Sequence, residues 1–251
     1  MGFLLAGVCF AAALACSAGG LRSLLPRGVT LVDACARFGC GSLGNTFLPV
    51  RGGDVIRLTL FSRIVPGGML AAAGAVAAFS VARWVTLVPL GIGAAGSSLP
   101  PEAFAAPAVA LVVAVLVAKR SGRRGGYGGA LVFATGSLLA RVTGVTLVVG
   151  SLSAALLVVP ALELAGTVSF LPANLGVADA AAAVALHAHG LPMGHAISVA
   201  VVLHVVETAA SVVFGAAGAA LLLSRGDAVK RLFQSGFRRR NPLLPALQGE
   251  Q

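Results

Sequence analysis

Two polar interruptions of an otherwise apolar chain hold the side chains best suited to chemistry. The first reads NTFLPVRGGDVIRLTLFSR and runs from Asn45 to Arg63. An arginine guanidinium grips phosphate oxygens through two parallel hydrogen bonds. We therefore predict that Arg51 and Arg57, with Asn45 and Asp54 beside them, bind a lipid phosphate or another acidic headgroup. Arg63 is expected to be an interfacial anchor.

A purely structural role for the same residues stays open. Gly52 and Gly53 permit a turn and a close backbone approach, and Asp54 is placed to cap the following helix. Arg57 lies one helical turn after Asp54, which suits an ion pair. A charge at membrane depth costs about 2.5 to 3.5 kcal/mol. That cost makes three arginines beside a membrane-embedded turn hard to explain by capping alone.

The second interruption reads SFLPANLGVADAAAAVAL and is acidic where the first is basic. Its polar side chains include Asn174 and Asp179, and Glu163 precedes it by a few turns. This asymmetry favours a zwitterionic or cationic headgroup, or a proton relay. Alternatively, Asp179 caps the short helix that it precedes.

Arg83 and Glu207 are charges within long apolar segments. A solitary charge there is expensive, so both side chains are expected to face the bundle interior and to find partners. Asp33, Glu163 and Arg141 are the other candidates for pairing. Arg83, with Asn174 and Asp179 of the second interruption, is predicted to bind substrate, and Glu163 and Glu207 are intramembrane charges. A structural ion pair and a role in transport both remain open for Arg83 and Glu207.

Other kinds of chemistry find little support. The four histidines, His187, His189, His195 and His204, are irregularly spaced, and the cysteines form no CxxC pair. The chain has no G-x-S-x-G elbow, and its RRGGYGG segment lacks the Lys-Ser/Thr of a phosphate-binding loop. We therefore expect no metal, no cofactor and no intrinsic enzymatic activity.

The elements that position these residues are predicted to be membrane helices. Hydrophobic residues make up 58% of the 251 and charged residues only 10%, with a mean hydropathy of +0.97. A bilayer core about 30 Å thick needs about 20 apolar residues per helical span. The predicted spans are Phe3 to Gly19, Gly67 to about Gly96, Phe104 to Ala118, Tyr127 to Gly150, and Pro192 to Leu223. The predicted fold class is an all-α polytopic membrane helix bundle.

Two regions are too polar for ordinary spans. These regions are Val29–Val65 and Leu152–Gly190. Each is predicted to be a re-entrant helical hairpin, which enters the membrane, breaks at a turn and leaves by the side it entered. The predicted turn residues are Pro49, Gly52, Gly53, Pro172 and Gly176. Non-helical backbone at membrane depth survives only where protein or water satisfies its polar groups. Each break therefore implies a protein-lined or wet cavity.

An internal repeat relates the two regions. Residues 123 to 126 positions apart correspond: Pro49 and Pro172, Asp54 and Asp179, Pro66 and Pro192, Arg83 and Glu207. The predicted transmembrane domain covers 1–223, with one repeat at about 3–96, a linking span at 104–118 and a second repeat at about 127–223. A basic tail covers 224–251. The two repeats are predicted to be inverted, as in many transporters.

Basic residues set the predicted orientation. The formal charge is +10, and arginines and lysines gather at Arg22 and Arg27, in KRSGRR at 119–124, and in the tail. The positive-inside rule accounts for this distribution and puts the tail in the cytoplasm and the amino terminus outside. The expected partners are therefore phospholipids of the cell membrane rather than nucleic acid. The apolar start is expected to be a retained span rather than a cleaved signal.

The two breaks resemble the flippase-like transmembrane domain of lysylphosphatidylglycerol synthases and of the membrane proteins that share it. The early family pattern is matched by Asn45, Leu48, Pro49, Arg51, Gly53, Asp54 and Arg57, and the late one by Leu171, Pro172, Leu175, Gly176, Val177 and Asp179. Both family glutamates are Asp here, and Asn174 replaces a glycine. The resemblance implies lipid translocation or lipid-linked envelope chemistry. It does not imply lysine transfer, because the soluble aminoacyl-transferase domain is not in this sequence.

Three hypotheses follow. The first is a lipid translocase in which Arg51 and Arg57 hold an anionic or aminoacylated headgroup while the hairpins open a polar path. The second is a non-transporting subunit that recruits an enzyme of lipid or glycan assembly. The third is an enzyme on a lipid-linked substrate, with Asp54, Glu163 or Asp179 as acid or base. The oligomeric state stays open.

Overall fold

The apolar segments fold as helices packed side by side. The computed structural model describes residues 1–26, 28–49, 51–95, 124–168 and 172–226. Within these ranges the chain forms eight α-helices: α1 Gly2–Leu24, α2 Leu31–Phe47, α3 Gly52–Ser62, α4 Gly68–Ala95, α5 Arg124–Val149, α6 Leu152–Val168, α7 Val177–Ala188 and α8 Met193–Ser224. A short 3₁₀ turn, Pro172–Asn174, precedes α7. The predicted linking span, the basic loop at 119–123 and the tail beyond 226 lie outside the described residues.

Four helices are long and apolar enough to cross a membrane. These segments are Gly2–Leu24, Gly68–Pro89, Gly126–Val149 and Met193–Ser224. Four predicted spans are therefore confirmed as long apolar helices, and the all-α fold class is confirmed for the described residues. Such helices are those of an integral membrane protein.

The two polar regions each consist of a pair of shorter helices. The longer members, α2 and α6, have 17 residues each, or about 25 Å at 1.5 Å per residue. α2 packs against α3, and α6 packs against α7. Left-handed backbone separates the members of each pair, at Arg51 in the first and at Ala173 and Asn174 in the second.

One end of the bundle gathers basic helix ends. Arg225, just after α8, donates from Nη1 to Asp33 Oδ1 of α2 over 2.6 Å. Gly126, near the start of α5, lies against the carbonyl oxygen of Ser23, near the end of α1. The start of the first helix pair, the end of α1, the start of α5 and the end of α8 therefore share this end.

The described residues of the opposite end carry few charges. His189 Nε2, just after α7, lies 3.2 Å from Ser153 Oγ near the start of α6, so the second helix pair begins and ends close together. Gly2, at the start of α1, lies beside Leu147 near the end of α5. Segments 142–162 and 180–206 contain no Asp, Glu, Lys or Arg.

Glycines let the helix backbones touch. A Cβ at Gly53 of α3 would lie 1.9 Å from Gly41 O and 2.2 Å from Asn45 N of α2. A Cβ at Gly215 of α8 would lie 2.8 Å from Gly39 O, also of α2. Small residues at helix contacts permit the close approach on which packing in lipid depends. α2 is thereby held tightly against both α3 and α8.

Two large buried apolar clusters and a small one, Ala36 with Leu60 and Leu222, form the core of the described residues. One large cluster is built mainly on α5 to α8 and includes Val158, Leu186 and Leu203. The other is built mainly on α1 to α4 and includes Leu21 and Phe61.

Contacts between helices fall into matching pairs when α1, α2, α3 and α4 are compared, in that order, with α5, α6, α7 and α8. Contacts of α1 with α2, of α2 with α3 and of α3 with α4 have counterparts in α5 with α6, α6 with α7 and α7 with α8. The contacts α2 with α8, α1 with α8 and α1 with α4 correspond to α6 with α4, α5 with α4 and α5 with α8. α1 and α5, which are counterparts, pack extensively on each other.

Candidate functional site

Two adjoining cavities lie among these helices. The larger has a volume of about 500 Å³ and the smaller about 190 Å³. Charged side chains of the larger cavity are Arg51, Asp54, Arg57, Arg83, Arg141, Glu163 and Glu207. The smaller cavity shares with it the polar residues Ser42, Asn45, Arg51, Arg141, Asn174, Glu207 and Ser211, and adds Asp179 and His204.

The structure brings together every residue predicted to bind substrate. Those of the first break, Asn45, Arg51, Asp54 and Arg57, and those outside it, Arg83 and Asn174, line the larger cavity, while Asp179 lines the smaller one. The side chains come from helices far apart in the sequence. Their convergence therefore depends on how the helices pack and cannot be read from any one segment of the sequence.

The predicted turn residues set the backbone conformation of the two breaks and are not among the residues that line the cavities. The carbonyl of Pro49 accepts the N–H of Gly52 at 3.1 Å, and the carbonyl of Pro172 accepts that of Leu175 at 3.1 Å. Gly176 precedes α7 with a φ of +80°, a conformation that favours glycine. Gly53, described above, is required by the contact of α3 with α2.

Asp54 is held by side chains of α2 and α3. Its Oδ1 accepts hydrogen bonds from Asn45 Nδ2 at 3.1 Å and from Arg57 Nη1 at 3.0 Å, and Arg51 Nε lies 3.7 Å from Oδ2. The predicted ion pair of Asp54 with Arg57 is therefore present. The alternative in which Asp54 caps α3 is not observed, because no side-chain capping hydrogen bond is described at the start of this helix.

Arg57 is well buried and only partly satisfied. Its side chain is 15% exposed, and its guanidinium carbon lies 4.0 Å from the centroid of the Phe38 ring, a cation–π contact. Within the part of the chain that the structure describes, Arg57 Nε is buried without a hydrogen-bond partner, as is Asn45 Oδ1. A guanidinium has five N–H donors, so Arg57 retains donors beyond its bond to Asp54.

A chain of alternating charges links four helices. Arg83 of α4 pairs with Glu163 of α6, Glu163 pairs with Arg141 of α5, and Arg141 pairs with Glu207 of α8. Arg83 and Glu207 therefore have partners, as predicted. Removing any one member would leave an opposite charge without its full set of partners.

Asp179 is both a helix cap and half of a side-chain pair. Its Oδ2 accepts the N–H of Gly176 at 3.0 Å, so the predicted capping role is present. Its Oδ1 lies 3.2 Å from His204 Nδ1 of α8. Asp179 Oδ1 and His204 Nε2 are both buried without a hydrogen-bond partner among the described residues.

Two residues of this site were not among those predicted to bind substrate, although Arg141 was named as a possible ion-pair partner. Arg141 lies within a 26-residue apolar helix whose other charged residue is Arg124 at its first position, and a charge within an apolar segment is the signal that singled out Arg83 and Glu207. His204 was set aside with the metal hypothesis, and only the contact with Asp179 identifies it. Among the residues that the structure describes, no three His, Cys, Asp or Glu side chains come together as metal ligands do.

Comparisons of the chain with models of protein families, with curated proteins and with solved structures found no match. The resemblance to the flippase-like domain of lysylphosphatidylglycerol synthases therefore stays a prediction that depends on its motif residues alone.

Proposed function

We propose that the protein is a lipid translocase that binds the anionic headgroup of a phospholipid or lipid-linked molecule in the larger cavity. The observation that carries this proposal is the convergence of both breaks on adjoining cavities inside an apolar helical bundle. Arg51 and Arg57 come from the first break, and Asn174 and Asp179 from the second. A purely structural bundle has no need of a polar interior of this size, because each buried charge is costly.

The charge balance of the larger cavity favours an anion. Arg83 and Arg141 are matched by Glu163 and Glu207 in the ion-pair chain. Of the remaining lining charges, the arginines of the first break share a single carboxylate, Asp54. A phosphate group neutralises this excess and accepts bidentate hydrogen bonds from a guanidinium.

The larger cavity also suits an amphiphile. Its apolar lining includes Phe10, Leu14, Phe38, Trp84 and Leu138. Its volume falls within the usual range of small-molecule sites, about 300 to 1,000 Å³. That volume holds a headgroup and its glycerol rather than two acyl chains, so the acyl chains would stay in the lipid beside the bundle.

We further propose that the chain consists of two inverted repeats, each with a re-entrant hairpin. The matching pairs of helix contacts support this arrangement. So do the two acids, since Asp54 and Asp179 each occupy the third position of a short helix, α3 and α7. Hairpins of opposite orientation that meet at one cavity would open it alternately to the two sides of the membrane.

The basic end of the bundle is proposed to face the cytoplasm of a cell whose plasma membrane contains the protein. Its exposed cations include Arg63 and Arg225, and anionic lipids of the cytoplasmic leaflet attract such residues.

A non-transporting subunit that recruits an assembly enzyme is the second candidate. The ion-pair chain from Arg83 to Glu207 favours it, because charges that satisfy one another have no need of a ligand. The two candidates differ in whether Arg57 binds a headgroup.

Binding of short-chain phosphatidylglycerol to the purified protein in neutral detergent tests this difference. Isothermal titration calorimetry should detect binding to the unaltered protein and to Arg63→Ala, whose arginine is exposed beyond α3. Arg57→Ala should weaken binding at least about tenfold, because a charged hydrogen bond contributes about 1.5 to 3 kcal/mol. Absence of binding to the unaltered protein would favour the recruiting subunit.

A further inference from the structure

The pair formed by Asp179 and His204 differs in kind from its counterpart in the first break. Asp54 has Arg57 as its partner, and an arginine stays charged in proteins. Asp179 has His204, and histidine changes charge between about pH 5 and about pH 8. The second break therefore holds a pair whose charge can change near neutral pH.

The geometry places a carboxylate oxygen beside the imidazole. Asp179 Oδ2 is held by the N–H of Gly176, so its Oδ1 is presented to His204 Nδ1. The side chains of His204 and Asp179 are 14% and 22% exposed. This contact is an ion-pair distance rather than a hydrogen bond, since Asp179 Oδ1 and His204 Nε2 are both buried without a hydrogen-bond partner among the described residues. A protonated imidazole donates from both ring nitrogens, so a proton on His204 would bring a positive charge and new donors to a carboxylate oxygen that no described donor satisfies.

The charges around the pair are balanced, so one added proton changes the net charge of the smaller cavity. Besides the pair, the charged groups that line the smaller cavity, counted over the residues that the structure describes, are Arg51, Arg141 of α5 and Glu207 of α8. α2 and α6 contribute uncharged residues, and α1 contributes none of the lining. With His204 neutral, two arginines balance two carboxylates. With His204 protonated, the cavity carries a net positive charge.

We propose that Asp179 and His204 form a proton-binding site, and that a proton on His204 prepares the adjoining cavities for the anionic headgroup. The second half of this statement depends on the proposed function, whereas the first does not. Because linkage is reciprocal, a bound headgroup also tightens binding of the proton.

Histidine titration by nuclear magnetic resonance tests the proton site without any lipid substrate. The full chain, purified in neutral detergent and labelled at its four histidines, is followed from about pH 4 to about pH 9. His204→Gln assigns the resonance, and His195→Gln, an exposed histidine of the same helix, is the control. The His204 resonance should report binding of a proton in this range, and Asp179→Asn should move its midpoint, because Asp179 is the carboxylate in contact with the imidazole.

Absence of titration at His204, or a midpoint that Asp179→Asn leaves unchanged, would overturn the proton site. A merely structural contact would change thermal stability in Asp179→Asn without moving the midpoint. Circular dichroism on the same samples shows that the variants are folded.

Calorimetry at two pH values tests the linkage. Short-chain phosphatidylglycerol, whose phosphate stays ionised, should bind the unaltered protein and His195→Gln about fivefold or more tightly at about pH 5.5 than at about pH 8. His204→Gln should bind with an affinity independent of pH. Binding that is equally tight at both pH values in the unaltered protein would overturn the linkage and leave the translocase proposal standing. No binding at either pH would overturn the proposed function and the linkage, and the proton site would still be decided by the histidine titration.

Discussion

At the scale of residues, the acidic side chains of the two breaks have partners of different kinds. Asp54 and Asp179 occupy the same position of their helices, but an arginine of its own helix partners the first and a histidine from α8 partners the second. The pair of Asp54 and Arg57 was predictable because both residues lie in one helical turn. The pair of Asp179 and His204 was not, because it depends on where α8 packs.

Arg57→Lys separates charge from hydrogen-bonding geometry. Lysine keeps the positive charge beside Asp54 but has no planar fork for a phosphate. We expect phosphatidylglycerol binding to weaken about tenfold, while thermal stability in detergent changes little. Arg63→Lys is the matched control. Unchanged affinity in Arg57→Lys would mean that only charge matters at this position.

Glu163 is the central member of the ion-pair chain, since it contacts both Arg83 and Arg141. Glu163→Gln should lower the free energy of unfolding by about 1 to 3 kcal/mol, because it leaves two arginines inadequately paired. Asp33→Asn, which breaks a pair at the end of the bundle with the half-exposed Arg225, should cost at most about 1 kcal/mol. Thermal unfolding in detergent measures the stability of both variants. Equal losses of stability would contradict the stabilising role of the ion-pair chain from Arg83 to Glu207.

At the scale of elements, hydropathy predicted where the long helices lie, because about 20 consecutive apolar residues leave few alternatives. The pairs α2 with α3 and α6 with α7 were also predictable, from Pro and Gly near each break. How closely the helices approach could not be read from the sequence. Glycines are so common in this chain that those required for contact, such as Gly41 and Gly53, look the same as the rest.

Gly53→Ala tests the backbone contact of α3 with α2. The added methyl would overlap Gly41 O and Asn45 N, so we expect a loss of about 1 to 3 kcal/mol in the free energy of unfolding. Gly74→Ala in α4 is the control, since a Cβ there meets nothing within 4 Å and alanine favours the helix by about 0.5 to 1 kcal/mol. Equal stability of the two variants in thermal unfolding would show that α3 moves away at little cost.

At the scale of the whole molecule, the arrangement couples distant segments into one site. The spacing of 123 to 126 residues predicted which residues correspond, and the matching helix contacts support the repeat. The spacing carried no information about which side chains from the two halves share a cavity. That depends on the packing of α2 against α8 and of α4 against α6, which is a three-dimensional property.

Cysteine labelling tests the inverted topology. In a variant whose four native cysteines are alanine, single cysteines at Val32, Arg63 and Ser224 should react with an impermeant maleimide from the cytoplasmic side. Cysteines at Leu152 and Met193 should react from the outside, since both ends of each hairpin return to one side. Labelling of intact cells and of inverted vesicles measures this. Opposite sides for Leu152 and Met193 would contradict the re-entrant hairpin.

The proposed function requires that the cavity carry an anionic headgroup across the membrane. Its most direct test is the rate at which a fluorescent anionic phospholipid changes leaflets in liposomes that contain the purified protein, followed by quenching of the outer leaflet. We predict accelerated flipping by the unaltered protein and by Arg63→Ala, and a reduction of at least about tenfold by Arg57→Ala. A rate no faster than in protein-free liposomes, or equal acceleration by Arg57→Ala, would contradict the account.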